Sequence, residues 1–238
     1  FRDEAFKYGA YILYMFQTNP RRSAYISYIH DIRQLGKSEN AFLDDNYMTS
    51  ILRRNPNYKL TLIDNVSSYY EHEWAQGVSN TLKFSYQTIY ATPYVPFEFF
   101  GTTGDTVVRS ALTSAEITLS THFAYREKFL LGKFERKSLG SDYPVVDFDL
   151  TYGPKGILGS SWEYWRITLK ISDRLETNPL GFLKLKLTAG KIFGTLPYPL
   201  LKLHEGNETY VYDPQSFNMM NYYEFVSDEY VRLFAEHH

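Results

Sequence analysis

Ala115-Glu116-Ile117-Thr118-Leu119-Ser120-Thr121-His122-Phe123 alternates without a break. One set of positions is Ala, Ile, Leu, Thr and Phe; the other is Glu, Thr, Ser and His. Successive side chains on a β-strand point to opposite faces, so this stretch predicts a strand that is apolar on one side and polar on the other. The same period extends outward from it. Leu82, Phe84 and Tyr86 oppose Lys83, Ser85 and Gln87; Val146, Phe148, Leu150 and Tyr152 oppose Asp147, Asp149 and Thr151. Ile167, Leu169 and Ile171 oppose Arg166, Thr168, Lys170 and Ser172, and Leu183, Leu185, Leu187 and Ala189 oppose Lys184, Lys186, Thr188 and Gly190.

Turn signals fall between these runs at Gln76-Gly77, Gly132-Lys133, Gly153-Pro154-Lys155-Gly156 and Thr177-Asn178-Pro179-Leu180-Gly181. Roughly ten strands are expected, many longer than the usual five or six residues. One segment departs from period two. In Ser38 to Arg54, Phe42, Leu43, Tyr47, Met48, Ile51 and Leu52 recur at helical spacing, with Ser38 or Asp44 as caps, which predicts one short amphipathic helix in a long connection.

A chain of 238 residues can hold one large all-β domain. Its formal charge of −2 supplies no basic footprint for nucleic acid. Cysteine is absent, which removes disulfide frameworks, thiolate metal sites and thiol catalysis. Aromatics make up 18% of the residues and 22 of them are Tyr, a side chain suited to a boundary between wet and dry surroundings. No run approaches the ~18 apolar residues of a membrane-spanning helix. The chain opens on Phe1-Arg2-Asp3-Glu4, already inside a pattern, as expected of a fragment of a longer protein.

Half-apolar sheet has two homes. In a soluble sandwich the apolar face packs on a second sheet. In a transmembrane barrel it meets lipid while the polar face lines the lumen. Three features point to the barrel. The run Thr113 to Leu131 exceeds the ~9–11 residues that cross a bilayer on a tilt. Aromatics gather near strand ends, as at Tyr69, Tyr70 and Trp74, at Tyr90 to Phe100, at Trp162 to Trp165 and at Tyr222-Tyr223. The connections are uneven, some tight and some very long. The alternative is a soluble β-sandwich carbohydrate-binding module whose Tyr and Trp side chains stack on glycans.

Chemistry-bearing motifs are few. Glu71-His72-Glu73 and His204-Glu205 lack a second His at ligand spacing, so no metal or other cofactor is expected. On a strand, Glu71 and Glu73 share one face as an inward acidic pair, with His72 and Trp74 on the other. No G-x-S-x-G elbow occurs, and Gly153-Pro154-Lys155-Gly156 lacks the G-K-[S/T] of a phosphate loop. The chain is not expected to be an enzyme.

From Gly190-Lys191-Ile192-Phe193-Gly194-Thr195-Leu196-Pro197-Tyr198-Pro199 through "LHEGNETYVYD" to "FNMMNYYEFVSDEYV", the sequence resembles a family of Bacteroidetes outer-membrane barrel proteins of unknown function that carry an upstream carboxypeptidase-regulatory-like domain. "RRNPNYKLTL" (Arg53 to Leu62), "YEHEW" (Tyr70 to Trp74), "PYVPFEF" (Pro93 to Phe99), "EITLSTHFAYREKFL" (Glu116 to Leu130) and "NPLGFLKLKLTAGKIFG" (Asn178 to Gly194) carry the resemblance across nearly the whole chain. It implies a barrel distantly similar to surface-antigen and assembly-factor barrels. The fold expected is therefore all-β: an antiparallel meander over residues 1–238 forming part of one outer-membrane β-barrel. The implied location is the cell outer membrane in a Gram-negative cell. The implied work is outer-membrane biogenesis, transport or surface assembly, with outer-membrane lipid and other outer-membrane or periplasmic proteins as partners.

The long stretch Gly194 to Phe225 separates two alternating runs, and connections of that length in compact domains are usually functional. The assembly-factor likeness implies a loop folded back into the lumen, although the arginine motif that pins such a loop is replaced here by His204, Glu205, Asn207 and Glu208. Lys184 and Lys186 stand side by side on the expected lumen wall, where a dehydrated setting screens their repulsion poorly. Glu205 and Glu208 are the acids expected to meet them; the alternative pairs these lysines with Asp147 and Asp149.

Overall fold

Long stretches of alternation become long strands. The computed structural model describes residues 6–35, 54, 60–93, 95–100, 106–132 and 136–238. In chain order the strands are β1 (Tyr8–Thr18), β2 (Arg21–Gln34), β3 (Leu60–Ala75), β4 (Val78–Tyr90), β5 (Phe97–Phe100), β6 (Thr106–Arg109), β7 (Ala111–Ala124) and β8 (Lys128–Leu131). There follow β9 (Arg136–Gly140), β10 (Val145–Gly153), β11 (Tyr164–Glu176), β12 (Phe182–Phe193), β13 (Lys202–Leu203), β14 (Val226–Ser227) and β15 (Glu229–His237).

Nine of them form one sheet in the order β1-β2-β3-β4-β7-β10-β11-β12-β15, antiparallel at every step. The pairs β5–β6, β8–β9 and β13–β14 are small side sheets on the connections. No pairing joins β1 to β15 among the described residues. The described residues contain no α-helix, and none long and apolar enough to cross a membrane. The helix expected over Ser38 to Arg54 lies outside the described residues, apart from Arg54 itself. The run Thr113 to Leu131 is not one strand. It ends at Ala124, Arg126 takes a left-handed φ of 54°, and β8 starts at Lys128.

The two ends of the sheet differ. At the turn end the connections are Asn19-Pro20, Gln76-Gly77 and 177–181, with the β8–β9 hairpin as the one large excursion. At the loop end they are the long stretches 35–59, 91–110, 154–163 and 194–228. Gly77 shows why one turn is so tight. Its φ is 78°, and a Cβ there would lie 1.9 Å from the Ala124 carbonyl oxygen, in a turn whose own carbonyl receives the Ala124 N–H at 2.7 Å.

The sheet curls, because one cavity of about 870 Å³ is lined by residues from Tyr25 in β2 to Phe234 in β15. Lys83, Ser85, Glu116, Thr118, Asp149, Arg166 and Lys170 face it, so the polar set of each alternating strand is the inner set. The apolar set faces out and is not covered. Leu82 is 54% and Val231 74% exposed, and Ile117, Leu119, Phe123, Phe148, Trp165, Phe193 and Leu233 are exposed with them. The apolar core is displaced to the loop end of the inner side. There Ile63, Ile89 and Leu112 from the strands pack with Val95, Phe97 and Leu200 from the connections, and Trp162, Tyr198 and Tyr223 close over them.

Candidate binding cavity on the inner face

The cavity wall is built by strand register. Asp149 lies opposite Thr168 on β11 and Ser120 on β7, within reach of Lys170 at 3.3 Å. Glu116 takes Arg166 at 3.2 Å and accepts from the buried Tyr164 hydroxyl. Each acid is thus neutralised by a neighbour one or two strands away, as cross-strand pairing favours.

The long segment folds back onto this wall. Pro199, Leu200, Leu201, Lys202, Leu203 and Glu205 line the cavity, and Arg166 donates to the Leu200 carbonyl at 3.0 Å. Glu205 accepts from Lys202 at 2.6 Å and from Arg232 on β15. His204 shares a 3.0 Å hydrogen bond with Ser227 and meets the rings of Phe217 and Tyr230 edge-on. Asn207, 1% exposed, is a hub. Its amide donates to the Val211 carbonyl and to Asn218 Oδ1, both at 2.7 Å, while its oxygen accepts from the backbone and hydroxyl of Thr209 at 2.8 and 2.7 Å. Glu208 accepts from the Tyr222 N–H at 3.0 Å.

The expected pairing of Glu205 and Glu208 with Lys184 and Lys186 is therefore not made. Lys202 stands three residues from Glu205 and satisfies it locally, and Glu208 is spent on its own segment's backbone. The alternative pairing fails too: Asp149 takes Lys170, and Asp147 takes His122 at 2.6 Å. Lys184 is exposed beside the Phe182 ring, and Lys186 lines the cavity without an ion pair among the described residues.

Burial sets the chemistry of the docked segment. It pushes the Lys202 ammonium below its ordinary value, against the pull of Glu205. Burial also works to raise Glu205, but the charges of Lys202 and Arg232 outweigh it and hold the carboxyl below the usual range. His204 is held below its usual value by burial first and then by the charge of Lys202.

A second polar cluster closes the turn end. Glu71 and Glu73 share the inner face, and Tyr70 and Trp74 point out. Glu73, 2% exposed, accepts from Arg136 on β9 at 2.6 Å and from the Arg21 N–H at 2.5 Å. Glu127 accepts from Ser138 and bonds His122 at 3.0 Å. The β8–β9 hairpin is thereby tied over that end of the inner face by buried, paired charges.

Two functional positions were not legible as such in the sequence. Arg54 donates to the carbonyls of Asn207 and Asn218, pinning the long segment from a different connection. Arg232 holds Glu205 from the last strand. The only signal for the first was its place in "RRNPNYKLTL", one of the stretches that carries the resemblance.

Neither a curated protein nor a solved structure matches the chain. The family model described as "Family of unknown function (DUF5686) C-terminal domain" matches residues 102–238, from the β5–β6 hairpin through β15 and more than half of the chain. The chain with this charged cavity and back-folded segment therefore belongs to the DUF5686 family of unknown function and holds its C-terminal domain.

Proposed function

We propose that the chain is a non-catalytic wall of an outer-membrane β-barrel serving membrane biogenesis, transport or surface assembly. The observation that carries the reading is the inverted sheet: the apolar set of the alternating strands lies uncovered outside, while the charged set lines the inside, each of its carboxylates paired with a cation. Soluble monomers rarely expose contiguous apolar patches beyond a few hundred Å². Burial of each large apolar side chain is worth about 1.5–3 kcal/mol, so a face of this size leaves on the order of tens of kcal/mol unclaimed in water. Lipid claims it. A soluble glycan-binding sandwich would need a second sheet on this face, and the described residues include none there.

The aromatic placement supports the same reading. Tyr14, Phe16, Tyr70, Trp74, Phe123, Tyr125 and Tyr143 are exposed toward the turn end, and Tyr8, Trp165 and Phe193 toward the loop end. Tyr28 and Tyr90 donate to Asp64 at 3.0 and 2.8 Å near the loop end, with apolar rings and wet tips as at a headgroup boundary. Tyr8 and Phe16 bracket ~27 Å of β1, which a tilt of about 40° projects to roughly 20 Å, close to the ~25 Å apolar band of such barrels. Short turns at one end and long loops at the other fit periplasmic and outer sides.

Nine antiparallel strands leave β1 and β15 running in the same direction. Antiparallel closure then calls for an odd number of further strands between them, giving the even total usual in bacterial barrels. The Bacteroidetes setting, the upstream carboxypeptidase-regulatory-like domain and the distant likeness to assembly-factor barrels belong to this reading. Fractionation of the native host tests it. The protein should sediment with outer membrane, require detergent for extraction and migrate faster on gels when unboiled. A folded monomer in detergent-free buffer would overturn it.

A further inference from the structure

We propose that the inner cavity is an anion site, taking a small solute that carries a phosphate or carboxylate group. This goes beyond the membrane reading, because it rests on the charges of the inner face alone. Six cations line the cavity (Lys83, Arg166, Lys170, Lys186, Lys202 and Arg232) against three carboxylates, Glu116, Asp149 and Glu205. Every carboxylate is occupied: Glu116 by Arg166, Asp149 by Lys170, and Glu205 by both Lys202 and Arg232. Lys83 and Lys186 have no anionic partner among the described residues, although both face the same space. Cations left without partners on one concave wall raise the potential there, and the half-buried Lys186 is screened less than an exposed charge is.

The wall around Lys186 is also short of acceptors. Thr188 follows it on the same face of β12, is 1% exposed, and has no partner for its hydroxyl. Arg232, directly opposite Thr188 on β15, has no partner for its Nε–H. Lys170 lies opposite Thr188 on the other side, on β11. Three adjacent strands thus place hydroxyl, guanidinium and ammonium donors side by side on the cavity wall. The protein's own Glu205 already demonstrates the chemistry, since its carboxylate is held at the edge of this patch by Arg232 and Lys202. Arginine's planar fork matches carboxylate and phosphate oxygens alike. A cation ligand would need the opposite balance of charges.

The test uses the full-length protein in detergent micelles, or in buffer should it prove soluble, so the outcome does not depend on the membrane reading. Calorimetric titration with inorganic phosphate, and separately with citrate, is run at fixed ionic strength in chloride. Saturable binding of phosphate, of citrate or of both is expected, and which one binds assigns the headgroup. Lys186→Gln should weaken binding about tenfold, the loss of one charge-assisted hydrogen bond. Lys191→Gln, whose lysine pairs with Glu229 on the outer face, should bind as the parent does. On the unmodified protein, saturating phosphate or citrate should also slow amine-reactive labelling of Lys186 but not of Lys191, read by mass spectrometry. No saturable heat with either anion, equal affinity in the two variants, or unprotected Lys186 overturns the proposal.

Discussion

Arg54 Nη2 donates to the backbone carbonyl of Asn207, 153 residues further along the chain, and to that of Asn218 at 3.2 Å. Its own N–H donates to the Glu208 carbonyl at 2.8 Å. One guanidinium therefore fastens both limbs of the long segment. Charge-assisted hydrogen bonds are worth about 1.5–3 kcal/mol each. Arg54→Ala should lower amide-exchange protection over residues 204–220 by about a hundredfold, roughly 3 kcal/mol, while the sheet keeps its protection. Arg54→Lys, with a point charge in place of a fork, should recover only part of it.

Asn207 is the receiving hub, and its two ends cannot be exchanged. The amide nitrogen donates twice and the oxygen accepts twice. Asn207→Asp keeps the shape but turns a carboxylate oxygen onto the Val211 carbonyl and Asn218 Oδ1. Repulsion of a buried charge from two acceptors should cost more than Asn207→Ala, on the order of 3 kcal/mol or above. Proteolytic nicking between residues 207 and 218 is the readout, and equal rates for the two variants would contradict the assignment.

How far the sequence carried this fold depended on range. Period two in 115–123 gives β7 with both faces correct, because alternation is written in consecutive residues. The break at Arg126 was hidden, since a left-handed φ at a non-glycine leaves no compositional mark. Ion pairs were the hardest to read. Asp147 belongs to His122 because β10 pairs with β7 in a register set across a twenty-residue excursion, and nothing in the spacing of Lys184 and Lys186 reports that. Arg54 is the extreme case of the same problem.

Acid should loosen the docked segment in two stages. His204 is held below its ordinary 6.5, so the undocked state takes up its proton first, and stability falls as pH drops from about 6.5 toward the lowered value. Glu205 is held below its ordinary 4.5; its contribution is complete above that value and is lost as pH falls through the depressed one. Exchange protection over 199–213 should follow both steps. Glu205→Gln should remove the lower step and leave the upper, and a profile unchanged in Glu205→Gln would show that the Lys202–Glu205–Arg232 cluster does not hold the segment.

Gly153 lets the Tyr164 ring lie across the strand backbone. A Cβ at residue 153 would come within 2.3 Å of that ring, which is buried and fixed by its hydroxyl bond to Glu116. Gly153→Ala should cost about 1–3 kcal/mol by overpacking, seen as a lower denaturant midpoint at unchanged slope. Gly156→Ala has open space around the new methyl and measures instead the strain of a φ of 84°.

The inverted sheet makes the last prediction a contrast of faces. Leu119 sits at the centre of the outer face, opposite Leu82 on β4 and Leu150 on β10. Ser85 lines the inner cavity one strand away. If the outer face meets lipid, Leu119→Arg places a guanidinium near the bilayer midplane at a cost of about 2–4 kcal/mol. Ser85→Lys adds charge to a wall that already carries several and should be tolerated in folding. A soluble sheet would show the reverse ordering of effects, since an exposed Leu→Arg change is close to neutral in water. Refolding yield into lipid vesicles, followed by the unboiled gel shift, separates the two: loss with Leu119→Arg and retention with Ser85→Lys is expected, and equal yields would remove lipid from the outer face.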